Sequence, residues 1–290
     1  MKSRIPLVRS VLHPTDFSAA SHRAFAHALA ISVLRQTKLT ILHVGKGIGG
    51  EVDWDDFPQV RKTLERWNLI DPGSPRSAVF DELNVKVSKH AERSWSPIRA
   101  TRNFLEDDPH DLVVLATEGS EGRPDWLHRS DAESIARGSG AMTLFVPSRA
   151  GRGIVSLEDG DLNLKNVLVP IDGKISGVAA IEFARRAAEI IGDGDVVITI
   201  FHIGEKMPPI PDLQEGTGWD WQTSLGLGEP AESILAEAKK LNANLIVMTT
   251  NGRDTLDQAL LGSTTERVLR KAECPVLAVP EGMYEEKRLA

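Results

Sequence analysis

Cysteine is all but missing from this chain: Cys274 is the single one among 290 residues. No disulfide can close within the chain, and a zinc site built on cysteine pairs is excluded. Cys274 precedes Pro275 at the start of an apolar run and reads as a small buried hydrophobe. No apolar stretch approaches the ~20 residues that a membrane-spanning helix needs. The opening residues are interrupted by Arg4, Pro6 and Arg9 and lack the apolar core of a secretory leader. The expected location is therefore the cytoplasm, with no membrane partner. Positive charge is in deficit: the formal net charge is −7. An acidic surface repels phosphate backbones, which argues against nucleic acid as a partner. The P-loop pattern G-x-x-x-x-G-K-[ST] does not occur. No acid–base pair or metal cluster stands at a diagnostic spacing, so no catalytic residue and no protein-held metal is assigned.

What the chain does have is material for a full core, with 41% hydrophobic and 26% charged residues, and a sequence written twice. SVLHPTDFS near position 10 returns as NVLVPIDGK near 166, LTILHVG as ITIFHIG, DLVVLATEG as NLIVMTTNG, and TLFVP as VLAVP. In the later part of each copy the landmarks keep one offset: Pro97 and Pro230, Gly119 and Gly252, Ser130 and Ser263, and Pro147 and Pro280 are all 133 apart. Four landmarks without slippage mark a duplication. Earlier, His43 and His202 are 159 apart, so the second copy is 26 residues shorter between its second strand and Pro230. The first copy has there FPQVRKTLERWNLI, with Val60, Leu64 and Trp67 at helical spacing. The second has GEKMPPIPDLQEGTG, too rich in proline and glycine for a helix.

Within each copy, apolar runs rich in β-branched residues alternate with amphipathic stretches, the pattern of a parallel sheet with helices on both faces. The expected domains are residues 1–150 and 151–290, joined by a polar, glycine-rich linker over 148–164. In WDWQTS, Trp219 and Trp221 alternate as in a strand with both rings on one face, packed where the second copy lacks its helix.

Ligands of open parallel sheets bind beyond the carboxyl ends of the strands. The first strand of each copy ends at an aspartate, Asp16 or Asp172. Either can accept hydrogen bonds from an adenine amine or a ribose hydroxyl, or simply cap the next helix. In the second copy Gly252 follows the fourth strand, and nine residues later Gly262, Ser263 and Thr264 open a helix. Glycine lets backbone N–H groups approach a phosphate, and a helix N-terminus favours an anion. The same residues also read as a capping box, Ser263 with Glu266, repeated as Ser130 with Glu133. His43 and His202 read as hydrogen-bonded histidines near the core rather than metal ligands. GKGIGG at 45–50 matches a dinucleotide fingerprint, but EVDWDDFP follows where a helix should begin, so it reads as a loop.

The strand-end aspartate and the loop Thr249-x-x-Gly252-x9-Gly262-Ser263 resemble the universal stress protein family, whose G-x-x-G-x9-G-[ST] loop binds ATP in some members. The resemblance covers nearly the whole chain. It implies two tandem, doubly wound, open parallel sheets of five strands each, order 3-2-1-4-5. It also implies a pseudo-two-fold relation through pairing of the two last strands, with further homo-oligomerisation open. Carried over residue by residue, the second copy's site comprises Pro170, Asp172, Ile203, Met248, Thr249, Gly252, Gly262, Ser263 and Thr264. The first copy's weaker site comprises Pro14, Thr15, Asp16, Val44, Gly119, Arg129 and Ser130, where Arg129 replaces the phosphate-side glycine. Lys174, where the family often has serine, contacts phosphate or is a solvated charge. The implied ligand is ATP, with ADP and AMP as alternatives and Mg²⁺ accompanying the nucleotide. The leading expectation is a stress-response regulatory module with a protein partner. Its rivals are a slow ATP hydrolase or self-phosphorylating protein using Ser263 or Thr264, and an interaction scaffold that has lost its nucleotide.

Overall fold

The apolar, β-branched runs become strands because parallel strands are buried on both faces and only such side chains fill both sides. In a computed structural model of the chain, the described residues are 8–45, 53–117, 135–136, 140–148, 153–173, 177–192, 194–213, 215–250 and 263–281. They fall into two units. The N-terminal unit holds Pro6–Ser148 together with Val155–Asp161, and the C-terminal unit holds Arg149–Ile154 together with Leu162–Ala290.

In the N-terminal unit the strands are β1 (Ser10–Thr15), β2 (Lys38–Gly45), β3 (Lys86–Arg93), β4 (Leu112–Ala116) and β5 (Met142–Val146). They are parallel and lie in the order β3-β2-β1-β4-β5. Helix α1 (Ala19–Arg35) follows β1, capped by Ser18, whose side chain accepts from the Ser21 N–H. Between β2 and β3 come α2 (Val60–Arg66) and the single turn α3 (Ala78–Asp81). Val60 and Leu64 of α2, and Trp67 just beyond it, are buried. Helix α4 (Pro97–Asp107) begins with proline, where its missing N–H costs nothing.

The C-terminal unit repeats the order with β6 (Asn166–Ile171), β7 (Val196–Ile203), β8 (Trp219–Gly226), β9 (Leu245–Thr250) and β10 (Val276–Pro280), running β10-β9-β6-β7-β8, all parallel. Each unit is thus an open α/β sheet in the order 3-2-1-4-5. The helices are α5 (Val178–Ile191), α6 (Pro230–Lys240) and α7 (Ser263–Lys271). Among the described residues no helix stands between β7 and β8. Instead Trp219 of β8 lies 5.9 Å from the Arg185 guanidinium, itself held by Glu182 and Glu189 on α5.

The stretch expected to be a linker is partly folded into the units. Ile154, Val155 and Leu164 are buried, and the Leu157 carbonyl accepts from the Trp67 indole N–H at 3.3 Å. Cys274 is buried. No helix among the described residues is long and apolar enough to cross a membrane.

Candidate functional site

In each sheet the strand order reverses beside the first strand, so the loops leaving the first and fourth strands diverge and open a crevice at their carboxyl ends. In the C-terminal unit that crevice is a cavity of about 240 Å³. Its floor is the end of β6, Pro170 through Asp172. One wall is His202 and Ile203 of β7, the other Met248, Thr249 and Thr250 of β9, and Ile234 of α6 with Thr264 of α7 closes the sides. Six residues expected from sequence meet here: Pro170, Asp172, Ile203, Met248, Thr249 and Thr264. Ser263, the first residue of α7, is exposed and does not line the cavity. Gly252 and Gly262 lie outside the described residues, as does Lys174.

The walls are largely aliphatic, with a carboxylate, an imidazole and hydroxyls placed among them, the composition of a small-molecule site. Thr249 Oγ1 is buried without a hydrogen-bond partner. A buried hydroxyl left unpaired costs roughly 1–3 kcal/mol, and Thr249 is one of the residues lining the cavity. His202 is fixed by its Nδ1, 3.0 Å from the Ile171 carbonyl. A ring nitrogen facing a carbonyl carries the proton, which leaves Nε2 as an acceptor. His202, Pro230 and Ile234 were not among the residues expected from sequence. Their signals were weak: a histidine at a strand end, and a helix opening with proline after the shortened segment. Among the described residues no cluster of three histidine, cysteine, aspartate or glutamate side chains could hold a metal ion.

The corresponding place in the N-terminal unit is built differently. Thr15 and Val44 are fully buried. Asp16 Oδ1 accepts from both the N–H and the hydroxyl of Ser18, at 3.0 and 2.6 Å, while its Oδ2 is buried without a partner. Phe17, the residue after Asp16, has φ 64°, a strained conformation for a bulky side chain. Its ring stacks on His43, with centroids 4.0 Å apart, and Phe57 packs edge-on against it at 5.3 Å. At the matching position after Asp172 stands Gly173, and a Cβ there would meet nothing within 4 Å. His43 is otherwise placed as His202 is, with Nδ1 2.8 Å from the Thr15 carbonyl. Burial holds its pKa below the ordinary histidine value. Pro14 lies in β1 beside Thr15. Gly119, Arg129 and Ser130 lie outside the described residues.

Comparison with known proteins bears on the whole chain. A family model described as "Universal stress protein family" matches residues 8–147 and 211–280. A universal stress protein of Methanocaldococcus jannaschii is 29% identical over 156 residues, 44% of this chain and 89% of that protein. One from Mycobacterium tuberculosis is 25% identical over 289 residues, 90% of this chain and 94% of its own length. Among solved structures, a universal stress protein from Archaeoglobus fulgidus superimposes with a TM-score of 0.59 at 18% identity, covering 96% of this chain and 98% of that one.

Proposed function

Because the chain belongs to the universal stress protein family, we propose that it is a stress-response protein whose C-terminal unit binds an adenine nucleotide, ATP in the first instance, as a regulatory ligand. The observation that carries this reading is the cavity at the ends of β6, β7 and β9, where the family-pattern residues Asp172, Ile203, Met248, Thr249 and Thr264 converge around an unpartnered buried hydroxyl. The aliphatic walls suit the faces of a purine. Asp172 supplies a carboxylate for an amine or ribose hydroxyl, and the N-terminus of α7 favours a negative charge near Thr264. The cavity is smaller than the ~300–1,000 Å³ of a typical small-molecule site. It would hold the base and sugar, with the phosphates outside it. Mg²⁺ would arrive with those phosphates, since it is bound chiefly through phosphate oxygens and water in such sites.

Calorimetric titration of the full chain with ATP is the test. One nucleotide per chain is expected, with an accompanying rise in melting temperature, because a ligand that binds only the native state stabilises it. Gly262→Asp, which puts a carboxylate at the last glycine of the family's phosphate-loop pattern, should abolish binding. Unchanged affinity in that variant would remove the site. A second reading, a scaffold that works without nucleotide, draws on the Phe17 ring lying over His43 in the N-terminal unit. It predicts no thermal shift with ATP, ADP or AMP.

A further inference from the structure

The N-terminal unit carries a second concavity, separated from Phe17 at the end of β1 by the ring of Phe57. It lies between α2, α3 and β3 and measures about 940 Å³. Five cationic side chains line it: Arg61, Lys62, Arg76, Lys86 and Lys89. Asp55 is the lone carboxylate in the lining. Arg61 is paired with Glu65 at 3.4 Å. Lys62, Arg76, Lys86 and Lys89 form no ion pair with any described residue. On a chain of net charge −7, this is a concentrated reversal of sign. Arg76 and Lys89 repel each other: burial first and Arg76 next hold the Lys89 pKa below the ordinary lysine value, with Asp55 opposing them. Such an arrangement is stabilised when an anion from outside enters it.

The floor and rim say which anion. Between the cations the groove is apolar, with Val79 and Val85 buried beneath it. Trp54 and Phe80 stand at its edge 57% and 56% exposed, and Lys89 reaches over the Phe57 ring at 5.5 Å. Exposed aromatics beside a groove are the residues that anchor protein partners. The volume is far beyond a lone phosphate. A long phosphate backbone needs an extended basic face and would meet the acidic remainder of this protein. β3, which supplies Lys86 and Lys89, is the outermost strand of its sheet, and such an edge accepts an extended peptide.

We propose that this groove docks a short acidic segment of a partner protein, one that alternates carboxylates with aliphatic or aromatic side chains. The cations take the carboxylates, and the valine floor takes the apolar side chains.

Fluorescence anisotropy with the full-length protein tests this, using a fluorescein-labelled peptide that alternates glutamate with leucine and phenylalanine. Binding should weaken as salt is raised, and Arg76→Glu with Lys89→Glu should reduce affinity by about tenfold or more. Lys239→Glu, on the exposed face of α6 in the other unit, should leave it unchanged. Circular dichroism and melting curves establish that both variants fold. If the charge-reversed protein fails to fold, Arg76→Gln with Lys62→Gln takes its place, with a smaller loss in the same direction. The proposal is overturned if the peptide binds no better than its lysine-for-glutamate counterpart, or equally well to the charge-altered protein. It is also overturned if tripolyphosphate displaces the peptide at equal concentration, or if single-stranded DNA binds more tightly. ATP binding by the C-terminal unit is read separately and decides nothing here.

Discussion

Phe17 lies face to face with His43, ring centroids 4.0 Å apart and planes 16° from parallel, across 26 residues of sequence. The contact holds Phe17 in the left-handed region at φ 64°, at a cost of roughly 1–2 kcal/mol. Phe57, itself 1% exposed, braces the pair. Aromatic stacking beyond area burial contributes about 0.5–1.5 kcal/mol per pair, so strain and stacking nearly offset. Phe17→Gly removes both, and denaturant unfolding should show a change within about 1 kcal/mol beyond the apolar area lost. The reciprocal change separates ligand from fold. Gly173→Phe has room for its Cβ, so the melting temperature should hold while ATP affinity in calorimetry falls at least about tenfold, roughly 1.4 kcal/mol. Undiminished ATP binding would show that the ligand does not lie beside Gly173.

Thr249 offers a sharper division between stability and binding. Its Oγ1 is buried without a partner, so Thr249→Val removes an unsatisfied group at constant shape. Unfolding free energy should stay level or rise by about 1 kcal/mol, while nucleotide affinity falls. A variant that loses stability and keeps its affinity would contradict the assignment of this hydroxyl to ligand.

Two buried histidines make the N-terminal unit sensitive to acid. Desolvation lowers the pKa of both His13 and His27 from 6.5 to about 4. A histidine whose native pKa lies below its unfolded value binds fewer protons when folded. Its contribution is therefore complete above pH 6.5 and is lost as the pH falls toward 4. Each shift corresponds to something on the order of 3 kcal/mol. Denaturant midpoints should drop steeply across that window, and His27→Gln should flatten the profile. A profile that is level between these limits would mean the rings are protonated where they sit.

Gly160 tests the turn over Trp67. It has φ +78°, and a Cβ there would overlap the Trp67 ring, which is 3% exposed. Gly160→Ala combines backbone strain with overpacking and should cost roughly 1–3 kcal/mol, read as a lower unfolding midpoint. A neutral result would detach residues 155–161 from the N-terminal unit.

The duplicated sequence made the architecture readable. Alternating apolar runs and amphipathic stretches, with fixed offsets between copies, gave the order of strands and helices, and the α2 residues Val60 and Leu64 are buried as their spacing implies. The strand-end aspartates and the Thr249–Ser263 loop pointed to the carboxyl ends of the strands. From sequence His202 reads as a hydrogen-bonded histidine near the core, since nothing local distinguishes a ring that lines a cavity from one that only fills space. The basic groove was invisible because its cations are scattered over residues 61–89, each an ordinary surface charge on its own element.

Sequence alone determined the βα repetition and the residues at the strand ends, because side-chain periodicity and glycine placement act over a few residues. The tertiary structure decided what stands beside each strand end. A single side chain after the aspartate, phenylalanine in one copy and glycine in the other, either reaches the histidine of the neighbouring strand or leaves its place free. That outcome depends on how closely two parallel strands set their ends side by side, a distance that no local pattern records.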